Sequence, residues 1–123
     1  MTAPRVLIVD DNELNLELAS FLLSTNGFEV AVAHEAASAA AQVAAFRPAL
    51  VLMDIQLPQV DGLEITRRLR ADPALGGLII VAFTAYSMKG DEAKMLAAGC
   101  DGYISKPIDV VNFAAQVRSH LPS

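Results

Sequence analysis

Residues 6–11 read VLIVDD, four apolar residues in succession followed by two carboxylates. A run without alternation marks a strand covered on both faces, as in a parallel sheet with helices on each side. The pattern recurs three times: LVLM (50–53) stops at Asp54, LIIVAF (78–83) at Thr84, and YIS (103–105) at Lys106. Parallel strands end on one edge, so these runs bring carboxylates, a hydroxyl and an ammonium to a common rim. In open α/β sheets that edge is where ligands bind. Oxygen donors beside a mobile positive charge suit a hard cation together with a phosphoryl group.

Between the runs the spacing turns helical. Leu14, Leu18, Phe21 and Leu22 recur at helical intervals, and Asn26-Gly27 ends that segment with a residue free to take positive φ. Glu29 to Ala33 reads as a second, shorter strand, followed by His34 where the other runs meet an acid or hydroxyl. The alanine-rich stretch 35–46 is helical by propensity and is closed by Pro48. After the loop 55–62, Leu63, Thr66 and Leu69 mark a third helix, and Asp72-Pro73 with Gly76-Gly77 mark the return loop. A helix around 93–98 stops at Gly99, a fifth strand covers 101–105, and Val110, Phe113, Ala114 and Val117 give the last helix a buried stripe.

Strands alternating with helices predict an α/β fold: a five-stranded parallel sheet with helices on both faces. The flavodoxin-like, doubly wound order 2-1-3-4-5 puts the crevice between the first and third strands and leaves at the edge the second strand, which ends in Ala33 and His34 rather than in an acid.

The 123 residues suit a single domain, 1–123, with 54% hydrophobic and 19% charged residues and no need of a disulfide or metal staple. A net charge of -5 argues against nucleic acid and anionic membranes as partners. Arg67, Arg68 and Arg70 form the densest basic group, read as a solvated helix face. Cys100, the single cysteine, is read as a small, semi-buried apolar side chain. The start lacks a signal peptide's apolar region, and no stretch is long enough to span a bilayer. A cytoplasmic protein is expected.

Taken singly, each rim residue has a plain structural use. Asp10, Asp11 or Asn12 caps a helix, Asp54 begins a turn, Thr84 satisfies a strand end, and Lys106 is a solvated charge. Together they are harder to explain, because crowded carboxylates repel unless cations share the site. Magnesium, held by one or two carboxylates and a phosphate oxygen, supplies that charge, and Lys106 supplies more. Asp54 is then the natural nucleophile, central on the third strand and ionised at neutral pH. An aspartyl phosphate results, its oxygens stabilised by the metal, Thr84 and Lys106.

With VLIVDDN, LVLMDIQLPQVDG, FTA and YISKP in that order, the sequence resembles the receiver domains of two-component response regulators over essentially its whole length. The resemblance implies that Asp54 is the phosphoacceptor and that Asp10 and Asp11 organise Mg2+ (or Mn2+), Asp11 being preferred as the direct ligand. It adds Asp54 itself and the backbone carbonyl of Gln56 to the ligand set. Thr84 matches the switch hydroxyl, Lys106 the family's lysine, and Lys106-Pro107 a cis peptide bond. Tyr103 takes the place of the switch aromatic, which turns inward as Thr84 moves toward the phosphoryl group. Gln56 and Tyr86 stand where the family tunes phosphoryl lifetime; a bulky Tyr86 implies slow hydrolysis.

The resemblance also implies partners. The donor is a phosphohistidine on a histidine kinase or histidine phosphotransfer protein, docking beside Asp54 against the first helix and the loop after Lys106. A downstream protein target reads the face of the fourth helix, fifth strand and fifth helix, where Met88, Met95 and Leu96 offer adaptable apolar surface, with at least one of them in the core. His34 and His120 are read as solvent-facing. The segments 88–110 and 6–15 are similar to DivK-type single-domain cell-cycle regulators, which implies a monomer or weak dimer that accepts phosphate without separate enzymatic turnover. One alternative is a receiver piece of a hybrid histidine kinase or multidomain regulator. A haloacid-dehalogenase-like phosphohydrolase needs a second Asp where Asn12 stands, and a flavodoxin-like electron carrier needs a Thr/Gly phosphate loop that is missing.

Overall fold

β1 (Arg5–Val9) pairs in parallel with β2 (Glu29–Ala33) on one side and β3 (Leu50–Asp54) on the other. β4 (Ile79–Thr84) and β5 (Gly102–Ser105) extend the sheet, giving the order β2-β1-β3-β4-β5. This is the expected doubly wound order. The computed structural model describes residues 3–55, 62–84 and 89–121.

The absence of polar alternation in β1 and β3 follows from burial on both faces. Val6, Ile8, Leu50 and Leu52 point into one apolar cluster, with Leu16, Ala19, Leu22 and Leu23 of α1 (Glu13–Ser24) and Phe113 and Val117 of α5 (Phe113–Ser119). Leu7, Val9, Val51 and Met53 point into the opposite cluster, under α2 (Ala36–Phe46), α3 (Gly62–Arg70) and α4 (Lys89–Ala98). Two thin cores thus sandwich the sheet, and its central strands β1 and β3 have almost no face left for polar residues.

Local chemistry sets the helix ends. Asn12 caps α1 by accepting the Asn15 amide at 3.1 Å, and Gly27 takes φ +89 after the helix. Arg47, at φ 53, closes α2 just before Pro48. Leu14 and Phe21, whose spacing marked the first helix, are 75% and 65% exposed; the buried stripe is Leu16, Ala19, Leu22 and Leu23. α1 is apolar on two faces, so helical period alone does not choose between them.

Two further expectations are corrected, on Val110 and Arg70, and one is refined. Val110 lies ahead of α5 and is 57% exposed, so the buried stripe consists of Phe113 and Val117 with Ala114 half-buried. The return loop after α3 contains a 3-10 turn, Pro73–Leu75, capped by the Asp72 carboxylate accepting the Ala74 amide at 2.9 Å. Arg67 and Arg68 are solvated and pair with Glu64, but Arg70 is not part of a solvated face. Its guanidinium donates to the carbonyls of Gly99 at 2.8 Å and Leu78 at 2.5 Å and pairs with Asp101, tying α3 to the strands beyond it. Among the described residues no helix is long and apolar enough to cross a membrane.

Candidate functional site

Strand register alone brings the site together. Val9 is aligned with Met53, so the next residue, Asp10, comes beside Asp54. Asp54 is aligned with Phe83, one residue before Thr84, and Thr84 is aligned with Ser105, one before Lys106. The backbone amide of Lys106 still donates to the Thr84 carbonyl, at 2.7 Å, which carries the lysine onto the rim in register. The Lys106-Pro107 peptide is cis.

Asp10, Asp54 and Thr84 are buried, while Asp11 is exposed at the mouth. One carboxylate oxygen from each of Asp10, Asp11 and Asp54 lies within 4.8 Å of the others. Lys106 bridges the two buried acids, its Nζ 3.1 Å from Asp10 Oδ2 and 3.3 Å from Asp54 Oδ2. The same ammonium sits 5.0 Å from the centre of the Phe83 ring, a cation–π contact that helps hold it in place. One ammonium faces three carboxylates. The remaining negative charge, with oxygen donors converging from two strand ends, is a donor set that fits Mg2+ or Mn2+.

Asp10 also orders the start of α1: its Oδ1 accepts the Asn12 amide at 2.9 Å and its Oδ2 the Asn15 side-chain amide at 3.5 Å. The capping use weighed for this segment therefore belongs to Asn12, with Asp10 organising the turn and Asp11 left to face the site. Asn15 and Phe83 are the site neighbours that sequence reasoning missed. Asn15 had a signal in its position one helical turn after Asn12; Phe83 had one in being the last residue before Thr84.

Tyr103 lies on β5 and is 40% exposed. Met95 is buried and Leu96 exposed, so of this pair Leu96 offers surface. Gln56, Tyr86 and Met88 lie outside the described residues. His34, at the end of β2, is exposed and pairs with Glu13. His120 is half-buried, its ring lying against the backbone of Gly102, so it is not the solvent-facing residue expected. Cys100 is buried, and that burial pushes its thiol above the ordinary range; a hydrogen bond to Thr66 opposes the shift.

Comparison with known proteins points to one family. The response regulator receiver domain family matches residues 6–118. The polar-differentiation response regulator DivK of Brucella anthropi is 44% identical over 116 residues, covering 94% of each chain. A response regulator receiver domain protein (CheY-like) from Methanospirillum hungatei is structurally similar with TM-score 0.86 and 28% identity, over 96% of this chain and 93% of that one. The chemotaxis response regulator CheY4 of Vibrio cholerae shares the fold with TM-score 0.92 at 23% identity, over 98% and 100%.

Proposed function

This chain belongs to the response regulator receiver family, and we propose that it accepts a phosphoryl group on Asp54 from a phosphohistidine donor and signals through a protein-binding face. The observation that carries the proposal is the meeting of three acids and one lysine at a rim otherwise built from buried apolar strands. In the transfer, an Oδ of Asp54 bonds to phosphorus as the P–N bond of the donor breaks, and that electron pair leaves on the imidazole. Lys106 neutralises charge on the phosphoryl oxygens, and the Thr84 hydroxyl donates to one of them. Asp10, Asp11 and Asp54, with the Gln56 carbonyl that the family resemblance adds, would hold a magnesium or manganese ion, which would supply the further positive charge those oxygens need.

The group adds roughly -1.5 to -2 of charge at the rim. Thr84 moving toward it frees space beside β4, and Tyr103, now exposed on β5, turns inward to fill it. The face of α4, β5 and α5, with Leu96 exposed on it, changes shape and selects its target. The donor is a histidine kinase or histidine phosphotransfer protein, seated on α1. A cytoplasmic location and a part in cell-cycle or polarity control accord with the likeness to DivK. The chain takes up one phosphoryl group and is no turnover catalyst.

The test incubates the chain with acetyl phosphate, with and without magnesium, and follows its mass. One phosphoryl group per chain is expected with magnesium, and none on Asp54→Asn, whose circular dichroism stays that of the wild type. Steady turnover of a small phosphate ester would contradict the reading.

A further inference from the structure

Gly62, the first residue of α3, touches the backbone of the acceptor. A Cβ built there would stand 2.2 Å from the Asp54 carbonyl oxygen, 2.6 Å from Ile55 Cα and 3.0 Å from the Asp54 carbonyl carbon. All three are main-chain atoms, so no side chain is able to swing aside. Two other glycines are more forgiving: at Gly102 the obstructing atoms belong to the His120 side chain, and at Gly77 nothing lies within 4 Å. Two hydrogen bonds seat the contact. The Gly62 amide donates to the Ile55 carbonyl at 3.3 Å, and the buried Thr66 hydroxyl donates to the Gly62 carbonyl at 2.9 Å.

We propose that Gly62 is a positioning residue for phosphoryl acceptance, its missing side chain setting where the Asp54 peptide stands beneath the carboxylate. The proposal rests on the reading of Asp54 as acceptor. Any side chain at 62 forces the Asp54–Ile55 backbone or the first turn of α3 to retreat by roughly 1 Å to reach ordinary contact distance, and displacements of that size lower rates by up to about 100-fold. Asp54 is the last residue of β3, locked to β4 below it, so the shift falls on the carboxyl end of the strand, where the site lies.

The test compares Gly62→Ala with Gly77→Ala as control, using acetyl phosphate and magnesium. Gly62→Ala is expected to accept phosphate about 10- to 100-fold more slowly while keeping its helical circular dichroism and a cooperative melt, and Gly77→Ala to match the wild type. Backbone amide resonances, recorded without phosphate, should move most at Asp54 and Ile55, beyond residue 62 and its chain neighbours. If Gly62→Ala unfolds in buffer, the measurements are repeated in trimethylamine N-oxide, which favours the compact state. Phosphate uptake at the wild-type rate, amide shifts scattered away from Asp54, or a variant unfolded even in the osmolyte would each overturn the proposal. Failure of the wild-type chain to take phosphate on Asp54 would instead overturn the functional reading, leaving the amide shifts to decide whether Gly62 positions that peptide.

Discussion

Lys106 is the residue on which the site's electrostatics turn. Its ammonium serves Asp10 and Asp54 at once, and both are buried, so removing it leaves two carboxylates facing each other away from water. Lys106→Met keeps most of the stem's packing and should destabilise the chain by about 2–4 kcal/mol in urea unfolding with chelator at pH 7, part of which magnesium restores. Unchanged stability would show that the pair is only a surface contact. Cys100 gives a second prediction. Burial, opposed by the Thr66 bond, holds its thiol above the ordinary range. Such a shift favours the folded chain fully below the unfolded thiol's pKa, and the contribution is lost as pH rises toward the folded value. The native thiol should therefore react with iodoacetamide at pH 8 at least about tenfold more slowly than in urea, and Cys100→Ala should flatten the alkaline decline in stability. At this scale the rim was legible because each site residue ends an apolar run. Arg70 was not, since nothing in a cluster of arginines separates the one that bonds to distant carbonyls from its solvated neighbours.

α1 carries the sharpest lesson at the scale of elements. Seven of its residues are apolar (Leu14, Leu16, Leu18, Ala19, Phe21, Leu22 and Leu23), and only one stripe faces the sheet. The helix was readable, its inner face was not, because the choice depends on β1 and β3 beneath it. The outward Leu14 and Phe21 then form an exposed apolar surface along the helix that starts at the site, and the proposed donor docks there. Phe21→Ser should leave stability within about 0.5 kcal/mol, whereas Leu23→Ala, on the buried stripe, should cost about 2–5 kcal/mol. Phe21→Ser should also slow transfer from a phosphohistidine protein and leave uptake from acetyl phosphate unchanged. Equal slowing with both donors would argue against docking on this helix. Val110 shows the same limit in miniature: an apolar residue at helical spacing, left exposed because the helix begins only at Phe113.

Across the whole molecule, one topology accounts for fold and site together. The alternation of strands and helices predicts a parallel sheet, the second strand's ending in Ala33 and His34 rather than an acid favours the order β2-β1-β3-β4-β5, and that order sets β1 beside β3 and β4 beside β5. Acids far apart in the chain thus become neighbours, and a cation that binds them holds the folded state. Magnesium at about 100 times its dissociation constant should add about 2.7 kcal/mol and raise the melting temperature by roughly 10 °C, an effect that Asp11→Asn weakens. No rise in the wild type would leave the acidic cluster without its proposed ion. The most direct test of the central claim is to phosphorylate the chain with acetyl phosphate and magnesium, trap the acyl phosphate with borohydride, and locate the modified residue by fragmentation. Homoserine at position 54 and nowhere else is the predicted result; modification at another carboxylate, or phosphate carried on His34 or His120, would contradict the account.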